Sequence, residues 1–214
     1  TSNFRAGVNA GNSIESGGRY NTVVGDEAGT AITTGDNNVA VGFSALITNT
    51  TGSTNTAVGD YSLYSNTTAS QNTAVGRMAL RFNTTGTNNT ATGFEALEAN
   101  TTADNNTAVG YSALTANTTG IQNVAVGATA LDANTTGNYN TALGYAAAGG
   151  TTTGEFNTAV GRRALFTNTT GESNTVLGYR ALDASTTADN NTAVGFSALL
   201  DNTTGTRLVA VGPN

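Results

Sequence analysis

A glycine recurs every 17 residues along most of this 214-residue chain. It closes a phrase whose commonest form is N-T-A-V-G, and Gly7 extends the series backwards with a spacing of 18. The regularly spaced glycines are Gly25, Gly42, Gly59, Gly76, Gly93, Gly110, Gly127, Gly144, Gly161, Gly178, Gly195 and Gly212. Seventeen residues are too few for a helix–turn–helix repeat, which needs more than about 30. They suit one coil of a β-solenoid, in which successive coils stack about 4.8 Å apart.

The period therefore predicts an all-β fold, a parallel β-solenoid of about twelve 17-residue coils. No linker or composition shift interrupts it, so we expect one repeat domain over residues 1–214. Within that domain we expect an atypical N-terminal repeat (1–24), regular repeats (25–207) and an atypical C-terminal end (208–214). The coils should form a rod about 55–60 Å long, without any helix longer than a turn.

The composition argues against several classes of function. The chain has no His, Cys, Lys or Trp, which removes the commonest catalytic bases, thiol nucleophiles and soft metal ligands. Its net charge is −6 and it has no basic patch, so we expect no nucleic-acid partner. It has no apolar run of 18 residues, so we expect no membrane insertion. A β-helical enzyme would need long irregular loops to build a cleft, and the strict period leaves none. We therefore expect no catalysis and no cofactor.

The N-T-A-V-G phrase has strand character, and its side chains should alternate between two faces. Its second position exchanges Thr with Val and its fourth is Val or Leu in nearly every copy, so we assign both to the coil interior. The alanine between them should then point outward and let another chain approach closely. This candidate inter-chain face consists of Ala40, Ala57, Ala74, Ala91, Ala108, Ala125, Ala142, Ala159, Ala193 and Ala210. It predicts a lateral homotrimer, with end-to-end stacking into a filament as the alternative.

The rest of the repeat supplies a core residue and a turn. An Ala-Leu pair follows most of these glycines after two variable residues, and its leucine should fill the core. The N-T-T-G segment that comes next contains the Asn and Gly typical of turns, so it should form a turn. Its stacked asparagines can form amide ladders. N-T-T is also an N-glycosylation acceptor, but glycans about 5 Å apart would crowd one edge, so we favour the structural interpretation. The recurring Asp-Asn-Asn triplets at Asp36, Asp104 and Asp189 indicate turns rather than Ca²⁺ sites, because they lack the calcium-binding repeat pattern.

The residue after each repeat glycine is often aromatic or arginine. This column contains Phe43, Arg77, Phe94, Tyr111, Tyr145, Arg162, Tyr179 and Phe196. We expect it to pack against a neighbouring chain or coil. The alternative is a ligand stripe, in which the rings stack on sugars or bases.

The phrase N-T-A-V-G-x-x-A-L resembles the S-V-A-I-G-x-x-A repeat of trimeric autotransporter adhesin heads, over residues 3–212. It also looks like the repeat arrays of phage tail fibres and large surface proteins. The resemblance implies a left-handed parallel β-roll with three chains side by side, in which Thr56 and Val58 point inward, Ala57 faces the trimer axis and Gly59 makes the turn. The N-T-T-G-x-x segment is longer here, and within residues 1–214 we expect neither the neck, stalk and anchor of that family nor an intramolecular chaperone domain.

We therefore expect a structural segment of an extracellular fibre, an adhesin head or tail-fibre shaft that mediates attachment at a cell surface or on a virion. Its expected partners are copies of itself and a host-surface glycan or protein receptor. A second possibility is an ice-binding solenoid that uses its threonine columns. Only one of the two adjacent threonines of N-T-T can face outward, and the threonine of N-T-A-V-G should point inward, so this alternative has one column at most.

Overall fold

The computed structural model describes residues 2–14 and 17–213. The chain divides into two compact units, residues 1–105 and 106–214. The atypical first repeat lies in the first unit, and residues 1, 15 and 16 of it are outside the described part, as is residue 214 of the atypical end.

Each unit is a parallel β-solenoid whose strands are three residues long. The first unit contains β1 (Phe4–Ala6), β2 (Thr22–Val24), β3 (Val39–Val41), β4 (Thr56–Val58), β5 (Thr73–Val75) and β6 (Thr90–Thr92). The second contains β7 (Thr107–Val109), β8 (Val124–Val126), β9 (Thr141–Leu143), β10 (Thr158–Val160), β11 (Thr175–Leu177), β12 (Thr192–Val194) and β13 (Val209–Val211). None of the described residues is helical, and the coils of the two units number about twelve. The predicted all-β parallel solenoid is confirmed.

The coils stack in register, so equivalent residues form columns. We number the coil from 1 to 17, with position 1 the asparagine that opens N-T-A-V-G. Position 2 pairs with position 2 of the next coil, as Thr56 does with Thr73, and the first two strands keep the same alignment across their spacing of 18. Backbone N–H groups bond alternately to the next and the preceding coil: Thr56 N donates to Asn72 O at 2.8 Å, and Gly59 N donates to Val41 O at 2.7 Å. A column in the sequence is therefore a column in space.

The interior of the coil contains small apolar side chains, leucine and asparagine. Position 3 is the alanine of N-T-A-V-G, position 8 is usually alanine and position 9 is usually leucine, and in the regular coils these residues are almost wholly buried. The asparagines at positions 1 and 12 are buried with them. The predictions that the leucine column fills the core and that stacked asparagines form amide ladders are confirmed.

The predicted orientation of the strands is wrong. Ala57 has no exposed surface within the single chain, whereas Thr56 and Val58 are each partly exposed. The other alanines assigned to an outward inter-chain face are buried in the same way: Ala40, Ala74, Ala91, Ala108, Ala125, Ala142, Ala159 and Ala193, with Ala210 half-buried. The interior of most coils already holds a leucine and two asparagine side chains, and the position-3 residue opposite them is small: alanine in most coils, with the buried Val23 and Val176 as exceptions. The exchange of Thr with Val at position 2 reflects the preference of strands for β-branched residues, not burial.

Two asparagine ladders run along the coil interior. At position 1, the backbone N–H of Asn72 donates to Oδ1 of Asn55 in the preceding coil, at 3.0 Å. At position 12, Nδ2 of Asn66 donates to Oδ1 of Asn49, at 2.9 Å. Both ladders also meet at position 15, where the Ala69 carbonyl accepts from Nδ2 of Asn55 and of Asn66 at 2.9 and 3.0 Å. The asparagines therefore satisfy buried backbone groups at the corners of the coil, which a purely apolar side chain could not do.

The glycine at position 5 is required by the backbone. Gly59 has φ +129°, a conformation that L-residues rarely adopt, and a Cβ atom there would lie 2.6 Å from the carbonyl oxygen of Gly76. Positions 7, 9 and 17 also have positive φ, but they carry ordinary residues such as Tyr61, Leu63 and Gln71. A left-handed conformation costs such residues about 1–2 kcal/mol each. The hydrogen bonds between coils offset that cost, for example Leu63 N to Ala79 O at 3.1 Å.

Candidate functional site

The outward side chains of the strands form the first candidate surface, which we call the strand face (positions 2 and 4). It is built from Thr and Val at position 2 and mainly Val and Leu at position 4. Several of its apolar side chains are well exposed in the single chain: Val75 by 37%, Val124 by 38%, and Leu143 and Leu177 by 48% each. No charged residue occurs at either position in β2–β13. An apolar surface repeated along successive coils is typical of a surface that another molecule covers.

Position 6, beside the strand face, carries the predicted aromatic and arginine column. In the second unit, the guanidinium carbon of Arg162 lies 5.5 Å from the ring centroids of both Tyr145 and Tyr179, and its Nη1 donates to the Tyr179 hydroxyl at 3.2 Å. Tyr179 stacks on Phe196 with centroids 5.3 Å apart and an angle of 12°. In the first unit, Arg77 lies over Phe94, and Phe43 meets Tyr61 edge to face. The column therefore packs from one coil to the next along the solenoid axis.

That packing bears on what the aromatic column can bind. A sugar or a base stacks on the face of an aromatic ring, and the Tyr179 ring meets Phe196 on one side and the Arg162 guanidinium on the other. Three rings of the column, Tyr111, Tyr145 and Phe196, remain more than half exposed. This geometry favours the interpretation as a packing stripe over the ligand stripe.

The N-T-T segments form a second regular surface. The first threonine, at position 13, is half-buried in most coils, and its hydroxyl donates to the position-13 carbonyl of the next coil, as Thr67 Oγ1 does to Thr84 O at 3.2 Å. The second threonine, at position 14, is exposed. We call the position-14 column the N-T-T face. As predicted, only one of the two adjacent threonines faces outward; the prediction that the threonine of N-T-A-V-G points inward is wrong.

An ion-pair cluster lies on the second unit. The carboxylate of Asp183 is nearly buried and accepts from Nε of Arg180 at 2.6 Å and from Nη2 of Arg163 at 3.2 Å. The hydrogen bond to Asp183 raises the pKa of the Arg180 guanidinium above its ordinary value, and the charge of Asp183 adds to this. With Asp201 the cluster lines a cavity of about 190 Å³. Two arginines face two carboxylates there, so the charges balance within the protein.

The other candidate motifs are structural in the described residues. The carboxylate of Asp104 accepts from the backbone N–H of Thr87 at 2.6 Å, and the carboxylates of Asp36 and Asp189 accept from the preceding coil in the same way. Each of these aspartates thus links its turn to the preceding coil. No group of three possible metal ligands occurs among the described residues. The asparagines of the N-T-T acceptor sequences have little or no exposed surface from Asn49 to Asn168, so in the folded coil they are unavailable to a glycosyltransferase.

The coil of residues 140–156 departs from the repeat at two interior positions. Ala148 replaces the leucine at position 9 and Thr151 replaces the asparagine at position 12. The carboxylate of Asp132, in the preceding coil, lies beside Gly149 of this coil. Desolvation by burial raises the pKa of Asp132, against the lowering effect of hydrogen bonds from the backbone N–H groups of Asp132 and Ala133.

Within residues 2–14 and 17–213 there is no helix that could span a bilayer. Comparison with protein-family models, with curated proteins and with solved structures gave no match.

Proposed function

We propose that this chain is a structural segment of an extracellular fibre, an adhesin head or a tail-fibre shaft, that associates laterally with copies of itself through the strand face. The observation that carries the proposal is the exposure of an uncharged, β-branched and apolar surface on successive strands of a single chain. A second copy is the natural occupant, because a surface that repeats with the period of the solenoid is matched along its length by another solenoid of the same period.

The residues that would meet between chains differ from those predicted from the sequence. The alanines are interior, so they support the coil and do not line an interface. The side chains at positions 2 and 4 take that role, with the position-6 column at their edge. The resemblance to adhesin heads then favours three chains of a left-handed β-roll around one axis, and attachment to a surface glycan or protein is the corresponding activity.

Oligomeric mass tests the proposal. A trimer of the 21.4 kDa chain has about three times that mass, which multi-angle light scattering measures directly. The variant Leu143→Glu/Leu177→Glu places two carboxylates on the strand face, where burial between chains without partners is strongly unfavourable. Both leucines are about half exposed in the single chain, so the monomer should keep its fold. The variant should therefore be a folded monomer with the circular dichroism of the parent.

The chain offers a matched control. Thr153 and Thr187 lie in the same two coils as Leu143 and Leu177, but on the N-T-T face, where both are exposed. Thr153→Glu/Thr187→Glu adds the same charges to the same coils and should remain trimeric. The proposal fails if the parent protein is a 21.4 kDa monomer at high protein concentration, or if the two double variants have the same mass.

A further inference from the structure

The N-T-T face keeps one residue type where other exposed columns vary. Position 14 is threonine in the eleven coils from residue 21 onward, and each is exposed; only the atypical first coil differs among the described residues, with Gly17 beside Thr34. The threonines are Thr34, Thr51, Thr68, Thr85, Thr102, Thr119, Thr136, Thr153, Thr170, Thr187 and Thr204. Over the same coils position 6 ranges through Phe, Tyr, Arg, Asp and Ala, and position 17 through Asn, Gln, Thr, Ser, Arg and aromatic residues. Recent duplication therefore does not explain the uniform threonines, because the other exposed columns have diverged.

Packing does not explain them either. In the described coils, the hydroxyl groups of Thr68, Thr136 and Thr170 have no hydrogen bond to another residue of the chain, in contrast to the position-13 hydroxyls beside them. Serine, asparagine or lysine would be accommodated at an exposed position of this kind. A residue that is uniform, exposed and without an internal partner indicates contact with something outside the chain.

The backbone beneath the column is rigid. On one side, Thr135 Oγ1 donates to Thr152 O at 3.1 Å and fixes one N-T-T segment to the next. On the other, Nδ2 of Asn134 donates to the Gly137 carbonyl at 3.1 Å and closes the turn that holds Thr136. Threonine is β-branched and has few rotamers. Each coil therefore presents one hydroxyl and one methyl group at the same place, about 4.8 Å from those of the next coil.

We propose that the N-T-T face binds ice. The column is uncharged, which does not suit an ion or a nucleic acid, and its hydroxyl groups both donate and accept hydrogen bonds, as water does. Individually weak contacts add up only when the partner repeats with the protein, and an ice surface is such a partner. The strand face also carries threonine, but there it alternates with valine and, in the fibre proposed above, is covered by another copy. Ice binding is independent of that self-association, since a monomer presents the same column.

Thermal hysteresis and ice-crystal shape test this inference on the purified chain. The parent protein should shape ice and show hysteresis at micromolar concentration. Thr136→Glu/Thr153→Glu/Thr170→Glu should abolish both effects, because charged carboxylates do not fit an uncharged lattice. The matched control, Thr141→Glu/Thr158→Glu/Thr175→Glu, changes three exposed threonines of the strand face in neighbouring coils and should retain them.

Circular dichroism of each variant checks that the solenoid is intact, and Thr136→Ala/Thr153→Ala/Thr170→Ala repeats the test without added charge. The alanine variant should also lose most of the hysteresis. The inference is overturned if the parent protein neither shapes ice nor shows hysteresis. It is also overturned if the strand-face variant loses activity as fully as the N-T-T variant while both remain folded.

Discussion

The position-12 asparagine ladder is interrupted twice in the second unit, and repairing it should stabilise the protein. Thr151 and Ser185 occupy the ladder position in coils 140–156 and 174–190. In each case the asparagine of the preceding coil loses its donor: Oδ1 of Asn134 and Oδ1 of Asn168 are buried without a hydrogen-bond partner. The hydroxyl groups of Thr151 and Ser185 are buried and unpartnered as well. The variants Thr151→Asn and Ser185→Asn restore the residue that the rest of the column contains.

The expected gain in stability follows from the number of buried polar groups that each substitution supplies with a hydrogen-bond partner. A new Nδ2 at residue 151 would donate to Asn134 Oδ1, as Asn134 itself donates to Asn117 Oδ1 at 2.9 Å. A new Oδ1 there would accept from Asn168. A net hydrogen bond contributes about 0.5–1.5 kcal/mol, and relieving a buried orphan group adds to that. We expect each variant to gain about 1–2 kcal/mol. The gain of the double variant should differ from the sum, because both new side chains bond to Asn168.

Thermal and urea unfolding followed by circular dichroism measure the gain, and amide hydrogen exchange localises it to the coils around each substitution. For a chain of this length about 1–2 kcal/mol corresponds to a rise of roughly 2–8 °C in Tm. Thr153→Asn is the matched control, because it makes the same change in the same coil at an exposed position. The reasoning is refuted if Thr151→Asn and Thr153→Asn have the same stability, or if the ladder variant is less stable than the parent.

Three further predictions concern the interior. Asp132→Asn should raise the free energy of unfolding at pH 7 but not below about pH 3. Burial raises the pKa of this carboxyl above 3.8, so its ionisation, as the pH rises through the folded-state pKa, disfavours the folded state. Unfolding measured at both pH values tests this. Gly161→Ala should destabilise by more than about 1 kcal/mol, because φ is +129° and a Cβ would lie 2.5 Å from the Gly178 carbonyl oxygen; a smaller loss in urea unfolding would contradict the assigned backbone. Ala125→Glu should unfold the monomer itself, since Ala125 has no exposed surface. A folded monomer with the circular dichroism of the parent would instead show that the alanine at position 3 points outward.

The strict period was sufficient to predict the solenoid. A fixed interval between glycines forces equivalent residues into columns, and the conformation at Gly59 shows why no other residue replaces it. The leucine column and the asparagine ladders also followed from residue type and spacing. These features depend on the backbone, which every coil shares. The sequence therefore repeats the same evidence for them in many coils, which makes them predictable.

The direction of the strand side chains was predicted wrongly for a physical reason. Alternation assigns Thr56 and Val58 to one face and Ala57 to the other, but it does not say which face is interior. The larger apolar side chains suggested the usual answer. The deciding quantity is the room left inside the coil by Leu63 and the asparagines at positions 1 and 12, and that depends on how a 17-residue loop closes. The left-handed conformations at positions 7, 9 and 17 were also unpredictable, because ordinary residues such as Leu63 occupy them.

The reversal of the strands changes what the repeat can do. With alanine inside, the coil interior is complete within one chain: most levels hold a methyl group, a leucine and two hydrogen-bonded asparagines. The β-branched residues at positions 2 and 4 are then free to serve a contact between chains, and the N-T-T turns are free to present threonine on a different part of the coil. The same 17 residues thus build a core and two periodic surfaces. The two surfaces use different positions of the coil, so carboxylates placed on one should leave the function of the other intact. The two sets of variants therefore test self-association and ice binding separately in one protein.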